Sequence, residues 1–273
     1  MKLDWALQQI AELEEEIREF FSDDNYEIVP TFNEHRVSKG FTLWDGFVQP
    51  DLIGMWEITL RITKEAPTER WSLLVGDIIN NLRSSLDHSV FALAITGSGQ
   101  EVPPRSSGLK FLICQEKSDF DGKSLNSLLS VPRPAYDFIE SVQPFHNTNS
   151  VLTTLQKLSN ADKHHGVHLA VTFLREFSIF DAKTVGHASV KTTFGYTHDS
   201  GEKVVTTLVD GLELTTSIFG TPEVNLAADV QTDAEFEVIF DEDPIASYKV
   251  VIELLREIAV EISRILENLK SFI

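Results

Sequence analysis

A run of polar and charged side chains in residues 76–88 has the residue types needed for binding or acid–base chemistry. Arg83 and Asp87 are four residues apart, so that on a helix they could form an ion pair that fixes the guanidinium. His88 follows directly, and an imidazole can gain or lose a proton near neutral pH. This run is therefore the first candidate for a ligand-binding or catalytic site.

The same run has an amphipathic helical pattern. At about 100° per residue its apolar side chains fall in one arc, and Asp77, Asn81, Ser84 and His88 fall on the opposite side. Solvated helix faces are usually rich in Lys, Glu and Gln, whereas Asn, Asp and Ser are mediocre in helix interiors. These side chains are therefore expected to have partners other than water. The partner is either a ligand or a buried polar network that locks helices together.

A second polar cluster follows a helix that the apolar spacing predicts at 151–158. Asn160 is expected to end that helix and Asp162 to begin a turn, so a local turn would explain the composition. The alternative is that Asp162, Lys163 and His164 face the polar side of the first helix and take part in a shared site.

The carboxylates and imidazoles of the two clusters could also ligate a divalent metal. Such a ligand set would comprise Asp87, His88, Asp162 and His164, with His165 as a further member. However, the chain has no H-E-x-x-H motif, no Cys pair and no EF-hand loop, and it lacks the glycine-rich loops that cradle nucleotide phosphates. We therefore expect neither a metal nor a cofactor.

Three pieces of the sequence together resemble an uncharacterised family of bacterial proteins. They are Gly76-Asp77 with Asn81 to His88, then Gln143-Pro144, then Asn160-Ala161-Asp162-Lys163-His164. This resemblance covers about residues 56–170 and implies no activity. In addition, Arg83 and His88 resemble the Arg and His that stand four to six residues apart in one helix of many ribonucleases of the HEPN (higher eukaryotes and prokaryotes nucleotide-binding) superfamily.

The second resemblance implies a metal-independent enzyme that acts on RNA or a nucleotide. Arg83 would hold a phosphate and stabilise developing charge, and His88 would act as general acid or base. The candidate catalytic residues are Arg83, His88, Asp87 and Asn81, the last two as groups that orient the imidazole. The candidate ligand-binding residues are Asp77, Asp162, Lys163 and His164. The two active helices would come from two subunits of a homodimer.

The alternative is a non-enzymatic interaction or regulatory module. In that case Arg83, Asp87, Asp162 and His164 would form a buried network that holds the long helix to the following strand. Truncating Arg83 or His88 would then lower stability, because a buried partner would be left unpaired.

The elements that would position these side chains follow from apolar periodicity. Helices are predicted at 3–20, 70–95, 118–129, 133–142, 151–158 and 245–272. Strands are predicted at 26–32, 46–48, 57–63, 109–114, 169–173, 189–194, 204–209, 212–218 and 235–240, with a hairpin turn at Asp210-Gly211. The two terminal helices are expected to pair with each other or to dock on the long central helix.

The predicted fold class is α+β, with a layer of terminal and central helices packed on an antiparallel sheet. A single domain over 1–273 is expected, mainly helical at 66–166 and β-rich at 167–241. With 23 basic and 42 acidic residues, the chain has a formal charge of −19, which argues against constitutive DNA binding and against an anionic membrane surface. One cysteine and the lack of a signal or spanning segment favour a reducing, cytoplasmic location.

Overall fold

The computed structural model describes residues 2–22, 25–33, 54–147, 150–179, 190–194, 196–197, 203–204, 212–220, 230–232, 235–241 and 249–273. The helices in this part of the chain are α1 (Lys2–Ser22), α2 (Thr68–Ser98), α3 (Lys117–Ser127), α4 (Arg133–Ser141), α5 (Val151–His165) and α6 (Val251–Lys270). The strands are β1 (Tyr26–Asn33), β2 (Gly54–Ile62), β3 (Leu169–Ile179), β4 (Val190–Phe194), β5 (Tyr196–Thr197), β6 (Lys203–Val204), β7 (Leu212–Gly220), β8 (Val230–Thr232) and β9 (Glu235–Phe240).

Helices and antiparallel strands together confirm the predicted α+β class. The chain divides into two compact units, each built from separate stretches of sequence. The first unit comprises Met1–Ile17, Pro67–Leu169 and Val238–Ile273, and the second comprises Arg18–Ala66 and Ala170–Glu237. A single domain over the whole chain stays a prediction. None of the helices in the described ranges is long and apolar enough to cross a membrane.

Both terminal helices dock on α2 in the first unit, which is one of the two arrangements that their apolar stripes predict. Each helix buries one stripe, which includes Ala6, Ile10 and Leu13 in α1 and Ile258, Ile262 and Ile265 in α6. Glu14 of α1 and Arg256 of α6 form an ion pair between the two helices. Burying such stripes is the main source of helix stability in a protein, because most of that stability comes from tertiary packing of an amphipathic face and not from helix propensity.

The 31-residue helix α2 is the central element of the first unit. It buries a continuous apolar row, with the fully enclosed side chains Trp71, Ile78, Ile79, Leu82, Leu86 and Leu93. It packs against both α5 and α6. α2 ends at Gly99, which takes the left-handed conformation with φ 66° and donates its N–H to the oxygen of Ile95.

Antiparallel pairings make up the β-structure. β2 lies between β1 and β7, and Tyr26 of β1 is opposite Ile62 of β2. In a second sheet β3 pairs with β4, β8 and β9, and β5 forms a short ladder with β6.

In the second unit Phe21, Tyr26 and Phe236 stack on one another, with ring centroids 4.4–5.8 Å apart. Burial in this cluster raises the pKa of Tyr26 to about 12.

Two predictions of local structure differ from the structure. The loop predicted after α2 is present, but the short strand expected within it at 109–114 joins no strand ladder in the described ranges, because side chains bind its backbone instead. The helix predicted to end at Asn160 continues to His165, so that Asp162 lies in a helical turn. The predicted strand at 46–48, the Asp210-Gly211 turn and residues 205–209 and 245–248 lie outside the described residues.

Candidate functional site

One polar face of α2 faces α1. Asn81 is buried, donates its Nδ2 to Gln9 Oε1 at 2.9 Å and accepts from Lys2 Nζ at 3.0 Å through its Oδ1. Further along, Arg70 Nη2 donates to Glu16 Oε1 at 2.6 Å, so α1 and α2 run antiparallel. The unusual composition of this face is thus explained in part by hydrogen bonds between helices.

A second polar strip of α2 binds the extended segment that follows it in sequence. The N–H of Phe111 donates to Asp87 Oδ1 at 2.9 Å, and Arg83 Nη2 donates to the oxygen of the same residue. Arg83 and Asp87 are also paired with each other at 3.5 Å. Two charged side chains, one turn apart, therefore hold both peptide groups of a single residue.

The exposure and the pKa of Arg83 both indicate that its guanidinium is held inside the protein. Its side chain is only 17% exposed, and burial lowers the pKa of the guanidinium, which the charge of Asp87 opposes. Transfer of a charge away from water is costly unless the charge is paired and hydrogen-bonded. Asp87 and the Phe111 carbonyl provide this pairing.

Gln143 completes the attachment of the same extended segment, and sequence reasoning did not select it as a site residue. Its Nε2 donates to the oxygens of Leu112 and Ile139 at 2.8 and 2.9 Å, and its Oε1 accepts from the N–H of Cys114 at 2.9 Å. The side chain is 1% exposed. The only signal in the sequence was the Gln143-Pro144 piece of the family resemblance.

Asp162 of α5 reaches α2, as the alternative to a local turn proposed. Asn80 Nδ2 donates to Asp162 Oδ2 at 2.9 Å. The two helices come close because Gly76 has no side chain, and a Cβ there would lie 2.3 Å from Asp162 Oδ1. The Gly76 and Asp162 pieces of the family resemblance are thus in direct contact across one helix interface.

The remaining candidate residues are not part of these networks. Asp77 and His88 on α2 are exposed, as are Lys163 and His164 at the end of α5. Five residues of helix turn through about 500°, so Arg83 and His88 leave α2 about 140° apart. Arg83 is directed at the extended segment, and His88 lies on the strip that includes Asn81.

One side-chain nitrogen of the cluster makes no hydrogen bond within the described residues. Arg83 Nη1 is enclosed and has no hydrogen-bond partner among the described residues. A guanidinium N–H can only donate a hydrogen bond, so this atom lacks an acceptor in the described part of the chain.

Neither a metal centre nor a reactive thiol is found in the described ranges. No three His, Cys, Asp or Glu side chains there are grouped so that they could hold a metal ion, which leaves the ligand set around Asp87 and His164 without support. Cys114 is buried, and burial raises the pKa of its thiol, which disfavours the reactive thiolate.

Comparison with known proteins gives no role to transfer to these residues. No family model, no curated protein and no solved structure matches the chain.

Proposed function

We propose that this protein is a non-enzymatic interaction or regulatory module, and that its polar cluster holds the helical unit together. The observation that carries the proposal is the double attachment of Phe111, by Asp87 at its N–H and by Arg83 at its oxygen. A guanidinium that binds substrate must be free to leave its partners, whereas this one is enclosed and already bound to the backbone.

The charge of the cluster also favours this proposal. Arg83 is the one arginine of residues 76–88, and it is already paired with the carboxylate of Asp87, in a chain with a formal charge of −19. A phosphate backbone is attracted by clustered Lys and Arg, and it is repelled by a surface of this composition.

The residues of the proposed network are not all those that the sequence predicted for it. His164 is exposed at the end of α5, whereas Asn80 and Gln143 contribute bonds that the sequence did not assign. The network that we propose therefore consists of Asn80, Arg83, Asp87, Gln143 and Asp162. His88 lies outside it, so truncating that residue is expected to leave stability unchanged.

A second candidate function is a metal-independent enzyme that acts on RNA or a nucleotide. The exposure of His88 favours it, since an accessible imidazole can serve as a general acid or base. In this proposal Asn81 and Asp87 would orient the imidazole, and Lys163 would add positive charge.

The two candidates are separated by incubating the purified protein with mixed RNA, with and without EDTA, beside the variants His88→Ala and His146→Ala. His146 is an exposed histidine outside both clusters and serves as the matched control. We expect no cleavage by any of the three proteins. Cleavage by the wild type and His146→Ala that persists in EDTA but is lost in His88→Ala would instead establish the enzyme.

The second candidate also requires a homodimer if the active helices come from two subunits. Light scattering during size exclusion measures this directly, because one chain has a mass of 30.7 kDa. A mass of one chain, together with the lack of cleavage, would exclude the two-subunit enzyme.

A further inference from the structure

We draw no further inference here: the strongest candidate, the row of enclosed polar atoms that Thr153, Gln156 and Ser159 present on one face of α5 with no hydrogen-bond partner among the described residues, carries nothing because nothing in the structure shows what occupies or covers it.

Discussion

Two Arg–Asp pairs with the same helical spacing have different surroundings in this protein. Arg83 and Asp87 on α2 are 17% and 34% exposed, and both also bind the backbone of Phe111. Arg133 and Asp137 on α4 are 76% and 54% exposed. Because water screens an exposed pair and a buried group has no substitute partner, the same spacing should contribute differently at the two places.

Replacing Arg83 by Met is therefore expected to lower the free energy of unfolding by about 2 to 3 kcal/mol, since the Phe111 carbonyl and Asp87 both lose a charged partner. The matched variant Arg133→Met should change it by less than about 1 kcal/mol. Urea unfolding followed by circular dichroism measures both. Equal losses in the two variants would contradict the structural role of Arg83.

At the residue scale, the sequence identified which side chains are engaged better than it identified their partners. Asn81 stood out because its type fits poorly on a solvated helix, and it has a partner in the structure. Asp77 and His88 stood out on the same face, yet both are exposed. The spacing predicted the pairing of Arg83 with Asp87, but not its second partner, because a backbone carbonyl 28 residues away has no signature in residue type. Gln143 was missed for a similar reason: a single glutamine has no pattern.

At the scale of elements, apolar periodicity predicted the helices well and their ends less well. Asn160 was expected to end α5, yet the helix continues to His165. A tertiary bond explains this difference, because Asn80 of α2 binds Asp162 in the added turn. The segment at 109–114 has strand-like residues, but side chains of Arg83, Asp87 and Gln143 replace a neighbouring strand. Local preference is overridden in both places by partners remote in sequence.

Alanine substitutions at Gly76 and Gly122 are expected to change stability in opposite directions, because only Gly76 lies where two helices come close. Gly76→Ala should destabilise the protein by about 1 to 3 kcal/mol, since its Cβ would meet Asp162 Oδ1 at 2.3 Å. Gly122→Ala in α3 should stabilise it by about 0.5 to 1 kcal/mol, because an added Cβ has nothing within 4 Å there.

Thermal and urea unfolding of the two variants test this prediction. The loss in Gly76→Ala should be smaller when Asp162 is also replaced by Ala, since the clashing carboxylate is then gone. A gain in stability at both glycines would show that the helices can separate without cost.

The aromatic cluster where α1, β1 and β9 meet predicts a dependence of stability on alkaline pH. Burial raises the pKa of Tyr26 to about 12, above the value of 10.0 for an exposed tyrosine. The folded state therefore holds this proton more tightly than the unfolded state, and the resulting stability is present below pH 10 and is lost as pH rises toward 12. Urea unfolding across this range should show a steeper decline for the wild type than for Tyr26→Phe. Parallel declines would mean that the Tyr26 hydroxyl is not protected in the folded state.

At the scale of the whole molecule, the excess of acidic residues is the dominant electrostatic feature. A formal charge of −19 makes the compact state repel itself, and dissolved ions screen that repulsion. The sequence alone supports this inference, since net charge depends on composition and not on fold. The division into two units was not predicted, because each unit joins stretches of chain that only tertiary contacts bring together.

The melting temperature at pH 7 is accordingly expected to rise by a few degrees when salt increases from about 0.01 M to about 0.1 M, which shortens the screening length from about 30 Å to about 10 Å. The same change near pH 4.7, where the net charge is close to zero, should have little effect. Differential scanning calorimetry at both pH values measures the difference. A fall in melting temperature with salt at pH 7 would mean that attractive charge pairs outweigh the overall repulsion.

The ion pair between Glu14 and Arg256 has a consequence for the growing polypeptide. These residues are separated by 242 positions, and ribosomes add about 5 to 20 residues per second, so roughly 12 to 48 s pass between their synthesis. α1 can dock on α2 early, but α6 is synthesised well after both of them. Throughout that interval the apolar side chains that α6 covers on α2 and α5 stay exposed on the nascent chain. Chaperones and proteases can bind them there, whereas in the folded protein they are buried.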